Sequence, residues 1–287
     1  MVRLHRYEDL AKKPENLLNK NYFFGATTFN LLVNKGPFLA STKASVQKQN
    51  ILGSAKISYS NDHFSFTHKR NTQQLSSYNL TVLPPFLPKL MKIISNCKIS
   101  RSTDQFVESF LEFEYKYQEK IAAKLGYCFQ SGVVSASLCG KLEEVVAGAE
   151  VKICKEFNGV EEASATFAWH PKMMSLVFRY ETAGIGLGRM LVYLNQKIGD
   201  NLKIGSKIIA NLKSASNTIL VGCTYKIDEN SEVRAKICDL GDLGLGFTRK
   251  LSPQLEASIA AGFNIQDLIS HSVHSQKLGV RFSYSNN

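Results

Sequence analysis

The chain has 287 residues, 44% of them hydrophobic, with 35 basic and 24 acidic side chains and a formal net charge of +11. No stretch approaches the roughly 18–20 uninterrupted apolar residues of a membrane-spanning helix, which excludes a helical membrane protein. The basic residues are spread singly, whereas nucleic-acid-binding proteins cluster them among aromatic residues, so we expect no nucleic acid partner. A solvated cavity that attracts anions accounts better for the charge.

The only convincing helical segment lies near the N-terminus, at residues 7–20. Leucines give it a thin apolar edge, and charged side chains occupy the rest of its surface. It is too polar for a protein core and too short to cross a membrane. Such a helix lies on a membrane surface or against a solvated wall.

From Gly25 onward the chain alternates apolar and polar residues with a period of two, which is typical of β-strands. Clear examples are residues 219–227, 255–263 and 277–285. Turn residues recur roughly every 10–14 positions, and counting between them gives about nineteen strands. The sequence offers no helical layer or second sheet to cover the apolar faces.

These patterns predict an all-β fold: a transmembrane antiparallel β-barrel of about 19 strands. Its outside is apolar and its inside is basic and rich in small residues. A barrel of this width leaves an aqueous lumen. The first residues lack the apolar core of a secretory signal, so we expect the barrel of a eukaryotic organelle. A soluble β-sandwich is the remaining alternative.

The sequence shows no pattern that indicates catalysis or a bound cofactor. The six cysteines have neither zinc-site spacing nor a C-x-x-C pair, and we interpret them as small strand residues in a reducing environment. The glycines of residues 184–188 lack the spacing of a dinucleotide loop, and we predict a strand packed with small residues there. No serine or cysteine lies in a nucleophile elbow. We therefore expect no enzyme, no cofactor and no metal.

Several motifs occur in an order that matches one known family. Residues 7–25 combine a polar helix with Phe24 and Gly25, residues 53–72 form two strand motifs, and residues 239–253 form a hairpin motif. In this order they resemble the voltage-dependent anion channel, the mitochondrial porin. The closing strand is similar to the sorting signal of mitochondrial outer-membrane barrels, a pattern carried here by Lys277, Gly279, Phe282 and Tyr284.

The resemblance implies a barrel of nineteen strands formed by residues 25–287, with residues 1–24 as helix and linker inside the pore. It implies a passive, weakly anion-selective channel of the mitochondrial outer membrane for ATP, ADP, phosphate and small anions. Implied partners are membrane lipids, nucleotides and small anions in transit, and the outer-membrane sorting and assembly machinery. A homo-oligomer or a larger membrane complex is also compatible.

Ten basic residues are predicted to line the pore and attract anions. Two lie on the N-terminal helix, and the others fall on the polar phase of their strands. An aqueous lumen requires polar side chains on this phase, but it does not require them to be positively charged. The bias toward positive charge implies attraction of phosphate-bearing metabolites. They are Lys12, Lys20, Lys56, Lys69, Lys203, Lys207, Lys226, Arg234, Lys236 and Arg281.

The chain departs from the family at four places, one of which is the absence of a Gly-Leu-Lys triplet found in the family's sixth strand. Asn21 and Phe23 stand where the family linker commonly has glycines, which stiffens the hinge. His68 replaces a lipid-facing glutamate of the fourth strand, and Glu15 stands where family helices often carry a base. Two related functions therefore remain open: a protein-import barrel of the outer membrane, and a diverged porin that serves as a structural subunit.

Overall fold

The structure is a computed structural model. It describes residues 7–19, 22, 24–47, 50–73, 75–84, 91–100, 105–118, 120–154, 160–184, 186–269 and 277–286. Lys20, Asn21 and Phe23, which enter the predictions above, lie outside the described residues.

Nineteen strands run through the described residues, and most have eight to eleven residues, a length that suits tilted membrane-spanning strands. In chain order they are β1 Thr27–Lys35, β2 Phe38–Gln47, β3 Asn50–Ser60, β4 Phe64–Asn71, β5 Leu75–Val82, β6 Met91–Ser100, β7 Gln105–Tyr117, β8 Ile121–Cys128, β9 Val134–Leu142, β10 Val145–Ile153, β11 Val160–Trp169, β12 Met174–Ala183, β13 Arg189–Ile198, β14 Leu202–Asn211, β15 Ser216–Lys226, β16 Ser231–Cys238, β17 Asp242–Lys250, β18 Leu255–Asn264 and β19 Lys277–Asn286.

The strands form one closed sheet, which confirms the predicted barrel of about nineteen strands. Each strand pairs antiparallel with its sequence neighbour, but β1 and β19 pair in parallel and close the barrel, with Phe29 beside Phe282. With an odd number of alternating strands the first and the last run in the same direction, so this one contact must be parallel. The expectation of an antiparallel barrel needs that correction at the closing pair.

Side chains alternate between an outer and an inner face, as the period-two pattern predicts. On β19, Leu278 and Phe282 are exposed on the outer face, at 66% and 38%, whereas Gly279 on the inner face is buried. We use "inner face" for the phase that carries Gly279 on β19 and Lys203, Gly205 and Lys207 on β14.

The helical elements are short. A single 3-10 turn covers Tyr7–Asp9, and α1 follows at Lys12–Asn19 with Pro14 in its first turn, where proline is tolerated. A five-residue helix, α2, covers Ile265–Ile269 between β18 and β19, and it is too short to leave a periodic signal in the sequence. None of the helices among the described residues is long and apolar enough to cross a membrane.

The glycines near residue 184 belong to a turn, and the predicted strand at residues 184–188 is wrong. The connection between β12 and β13 contains Gly184 at φ 74° and Gly186 at φ 143°. Both values lie in the left-handed region that glycine enters without a steric penalty. These glycines therefore serve to reverse the chain.

Candidate functional site

Two pairs of glycines on the inner face form the surface on which part of the N-terminal segment packs, and we call this surface the glycine seat. Gly205 of β14 lies directly opposite Gly222 of β15, and Gly244 of β17 lies opposite Gly262 of β18. Between the two pairs, Lys236 of β16 is opposite both Gly222 and Gly244. A continuous band without bulky side chains therefore crosses five neighbouring strands, with one lysine in its middle.

The leucines of α1 pack on the first glycine pair. A Cβ atom on Gly205 would lie 2.7 Å from Leu17 Cδ2, and one on Gly222 would lie 2.9 Å from Leu18 Cδ2. Leu17 is only 8% exposed and Leu18 is fully buried. A side chain at either position would force these leucines to shift, so the two glycines let the helix pack directly on the strands.

The segment after α1 occupies the second glycine pair. The ring of Phe24 lies 2.8 Å from the position of a Cβ on Gly244 and 2.9 Å from that on Gly262. The Lys236 ammonium lies 4.2 Å from the centroid of the Tyr22 ring and 5.6 Å from that of Phe24, within cation–π distance. Lys236, predicted to attract anions, thus holds the linker to the wall.

The beginning of the segment is held by hydrogen bonds. The Tyr7 hydroxyl accepts a bond from Thr166 Oγ1 at 2.9 Å and donates one to Ser164 Oγ at 2.8 Å. Arg179 lies 5.4 Å from the centroid of the Tyr7 ring. Tyr7 itself packs on Gly148 of β10, so this end also rests on an inner-face glycine.

An apolar patch on the inner wall lies under this part of the segment, and the sequence analysis missed it. Leu10 and Ala11 form one buried cluster with wall residues, which are Ala122, Cys139, Val146, Ala168, Val177, Leu191 and Tyr193. The one sequence signal is the uninterrupted apolar run at residues 190–194, which indicates a strand covered on both faces. The lumen is therefore not polar throughout.

Glu15, noted above as a departure from the family, anchors α1 to the wall. The Tyr193 hydroxyl donates a hydrogen bond to Glu15 Oε1 at 2.7 Å, and Lys207 Nζ lies 3.6 Å from the same oxygen. Lys207 also lies 5.1 Å from the centroid of the Tyr193 ring. A carboxylate at this position compensates a wall lysine that would otherwise face the helix unpaired.

The predicted pore-lining residues divide into paired and unpaired groups. Lys12 forms an ion pair with Asp9 at 2.9 Å, and Arg234 pairs with Glu232. Arg281 lies on the inner face of β19, opposite Ser258. Within the described part of the chain no carboxylate forms an ion pair with the remaining strand lysines of the prediction, which are Lys56, Lys69, Lys203, Lys226 and Lys236. Their effect on ions stays a prediction.

The wall formed by β7 to β13 is largely neutralised. Inner-face cations there lie beside carboxylates on the same or the next strand. The pairs are Lys116–Glu114 at 3.2 Å, Lys124–Glu112 at 2.9 Å, Lys152–Glu162 at 2.6 Å, Arg179–Glu181 at 2.7 Å and Arg189–Glu181 at 2.6 Å. This half of the lumen therefore contributes little net charge.

The wall formed by β2 to β4 carries basic side chains that no carboxylate of the described residues neutralises. Residues 26–103 contain ten lysines and arginines and a single acidic residue, Asp62. Lys56 lies directly opposite Lys69, and Lys43 is opposite Ser54, two positions from Lys56 on the same face. On the inner face of β2 to β4 lie Lys43, Lys56 and Lys69 with no carboxylate among them, and we call this surface the basic wall.

Space for solutes remains between α1 and the surrounding strands. A cavity of about 1290 Å³ is bordered by Asn16 and Leu17 of α1 and by inner-face residues that include Lys203, Thr224 and Arg234. The N-terminal segment therefore narrows the lumen along one wall and leaves solvent-accessible volume beside it.

The proposed sorting residues have defined positions on β19. Lys277 and Gly279 lie on the inner face, Phe282 and Tyr284 on the outer face, and the Tyr284 hydroxyl donates to Gln254 Oε1 at 3.1 Å. Their recognition by an assembly machinery stays a prediction.

A model of the eukaryotic porin family matches residues 5–279 of the chain. The chain is 21% identical over 285 residues to the human "non-selective voltage-gated ion channel VDAC1", covering 96% of this chain and 97% of that one. It is 20% identical over 268 residues to VDAC2 of Meleagris gallopavo, covering 89% and 86%. Mutants of the Rhodopseudomonas blastica porin share 12% identity at a TM-score of 0.53, covering 89% of this chain and 94% of theirs, which shows the barrel fold alone.

Proposed function

Because the chain belongs to the eukaryotic porin family, whose members are channels, we propose that it is a passive, weakly anion-selective channel of the mitochondrial outer membrane. Its solutes are phosphate-bearing and carboxylate metabolites such as ATP, ADP and phosphate. Passage needs no chemistry: the lumen sets the size limit, and the charge of the lining sets the preference. A weak preference agrees with the description of the relatives as non-selective channels.

The observation that carries anion selectivity is the basic wall. Like charges directly opposite each other on neighbouring strands repel, so Lys56 and Lys69 favour an anion between or near them. Hydroxyl groups surround them on the same face, and one example is the bond from Thr67 Oγ1 to Ser58 Oγ at 3.0 Å. This wall raises the local anion concentration without holding any one anion tightly.

The test is the reversal potential of the purified protein in a planar bilayer across a potassium chloride gradient. We expect wild type to prefer chloride, and we expect a Lys56→Glu, Lys69→Glu variant to lose that preference or to prefer potassium. The effect should be larger at low ionic strength, since the Debye length is about 8 Å at physiological salt. Conductance should remain of similar size because the lumen keeps its width.

The matched control is a Lys35→Glu, Lys213→Glu variant, which changes net charge equally at a strand end and in a hairpin turn. Its reversal potential should stay close to wild type. An unchanged reversal potential in the basic-wall variant would refute the mechanism. A wild-type protein that inserts but conducts only in the presence of a presequence peptide would favour the protein-import alternative.

A further inference from the structure

The N-terminal segment, which runs from Tyr7 to Phe24, is attached to the inner wall at both ends and in its middle. At one end the Tyr7 hydroxyl donates to Ser164 Oγ and accepts from Thr166 Oγ1, both on β11. In the middle α1 packs on β13 to β15. At the other end the Phe24 ring lies on the glycines of β17 and β18. The contacts extend from β11 to β18, so the segment can leave the wall only when they break together.

Lys236 fastens the second end of the segment. Its side chain is half-buried beside the rings of Tyr22 and Phe24, whose centroids lie 5.9 Å apart. The ammonium lies 4.2 Å from the first centroid and 5.6 Å from the second, and a cation–π contact strengthens when the cation is partly removed from water. Within the described part of the chain no carboxylate forms an ion pair with this ammonium, which leaves it to the two rings.

The segment offers a membrane potential little net charge to act on. A potential of about 60 mV shifts an equilibrium about tenfold for each elementary charge that crosses it. The segment docks on interior positions of the strands, so leaving through either mouth carries its charges across about half of the potential. The net side-chain charge of residues 1–25 is +2, and the docking equilibrium therefore shifts about tenfold at this potential. The charged residues are Arg3, Arg6, Lys12, Lys13 and Lys20 against Glu8, Asp9 and Glu15.

The contacts of α1 outweigh this effect of the potential. Leu17 and Leu18 are almost fully buried in the docked segment. Exposing both side chains to water disfavours the detached state by about three orders of magnitude. Area-based values are upper estimates, and even a preference of about a hundredfold exceeds the effect of the potential. The docked state therefore stays favoured at least about tenfold, before the contacts of Tyr7 and Phe24 are added.

We propose that the N-terminal segment is a fixed part of the pore wall, which stays docked when a potential of up to about 60 mV acts across the membrane. The lumen then keeps one width, and the conductance does not depend on voltage in this range. Lys236 is a positioning residue for this arrangement, since it holds the end of the segment that follows α1. In this respect the chain differs from its relatives, which are described as voltage-gated.

Voltage ramps on the purified protein in a planar bilayer test the proposal. Between about −60 and +60 mV we expect the wild-type conductance to change by less than about a tenth, because the docked state remains favoured at least about tenfold. A variant with Leu17→Ala, Leu18→Ala and Lys236→Gln loses most of that preference. The same ramp should redistribute its segment between the docked and the detached state, and its conductance should change several times more than that of wild type.

The matched control combines Leu39→Ala with Lys226→Gln, which removes an inner-face leucine of β2 and an inner-face lysine of β15 that no described contact joins to the segment. Its conductance should stay as constant as that of wild type. Voltage-dependent conductance in wild type would overturn the proposal, and so would a triple variant as constant as wild type.

Two further outcomes separate this inference from the proposed function. A protein that inserts without conducting would overturn the inference, since the docked segment would then close the lumen. The reversal potential, measured in the same membrane, tests anion preference independently. A constant conductance without anion preference would refute the proposed selectivity and support the fixed segment.

Discussion

Replacing Leu17 and Leu18 by alanine removes the apolar contacts that hold α1 on the inner wall. Both side chains are almost fully buried, at 8% and 0% exposure. Each change removes about three methylene equivalents at about 0.8 kcal/mol, or about 2.4 kcal/mol per residue and about 5 kcal/mol for the pair. At about 1.4 kcal/mol per factor of ten, the population with α1 detached rises by about three orders of magnitude.

Trypsin cleavage after Lys12 in the purified barrel measures this population, because the protease cuts the transiently detached form. Area-based energies are upper estimates, so we expect the double variant to be cut at least about a hundredfold faster than wild type. The barrel itself should keep its β-sheet signal in circular dichroism. The control is Leu39→Ala on the inner face of β2, since α1 packs on β13 to β15; its cleavage rate should match wild type.

Two results would refute the reasoning. If wild type is cut as fast as the double variant, the leucine contacts do not hold α1. If Leu39→Ala accelerates cleavage as much as the double variant, the substitutions loosen the whole barrel and the glycine seat has no special part in retaining the helix.

Two further substitutions test the inner and outer faces. Gly262→Val places a side chain where the Phe24 ring lies, and in a thermal unfolding experiment it should lower the free energy of unfolding by about 1–3 kcal/mol. Gly140→Val is the control: no atom lies within 4 Å of its Cβ position, so the substitution should be tolerated in the same experiment. Phe282→Arg places a charge on the lipid-facing surface and should lower the free energy of unfolding, measured with guanidinium in lipid vesicles, by about 2–4 kcal/mol. Ser283→Arg faces the lumen and should change this free energy little. Equal losses in the two variants would contradict the register.

The barrel could be predicted from the sequence because its main determinant is local. In β19 the alternation of Leu278 and Phe282 with Gly279 and Arg281 already separates an outer from an inner phase. The same pattern repeats at regular spacing, so strand number and facing follow without knowledge of any long-range contact. The parallel closure then follows from the odd number of strands.

The neutral wall could not be predicted in the same way. Lys124 and Glu112 meet only because β7 and β8 pair in one particular register. A shift of that register by two residues keeps every side chain on its face, but in one direction it would place Lys124 opposite Lys116 and away from Glu112. The sequence therefore identified the inner-face cations and could not tell which of them a carboxylate compensates. The apolar patch was missed for a related reason. Its residues lie on the inner face, which the alternating pattern predicted to be solvated, and only the tertiary structure shows that the N-terminal segment covers them.

These pairings change which part of the molecule sets the charge of the lumen. Glu15 brings a negative charge to α1 and compensates Lys207 of the wall on which the helix packs. Lys56 and Lys69, on β3 and β4, lie on strands away from the α1 seat on β13 to β15 and have no such compensation. Movement of the helix would carry Glu15 away and leave Lys207 uncompensated on β14, while Lys56 and Lys69 would stay as they are. With α1 docked, ion preference should therefore depend mainly on the basic wall, and detachment of α1 should both widen the passage and strengthen the preference for anions.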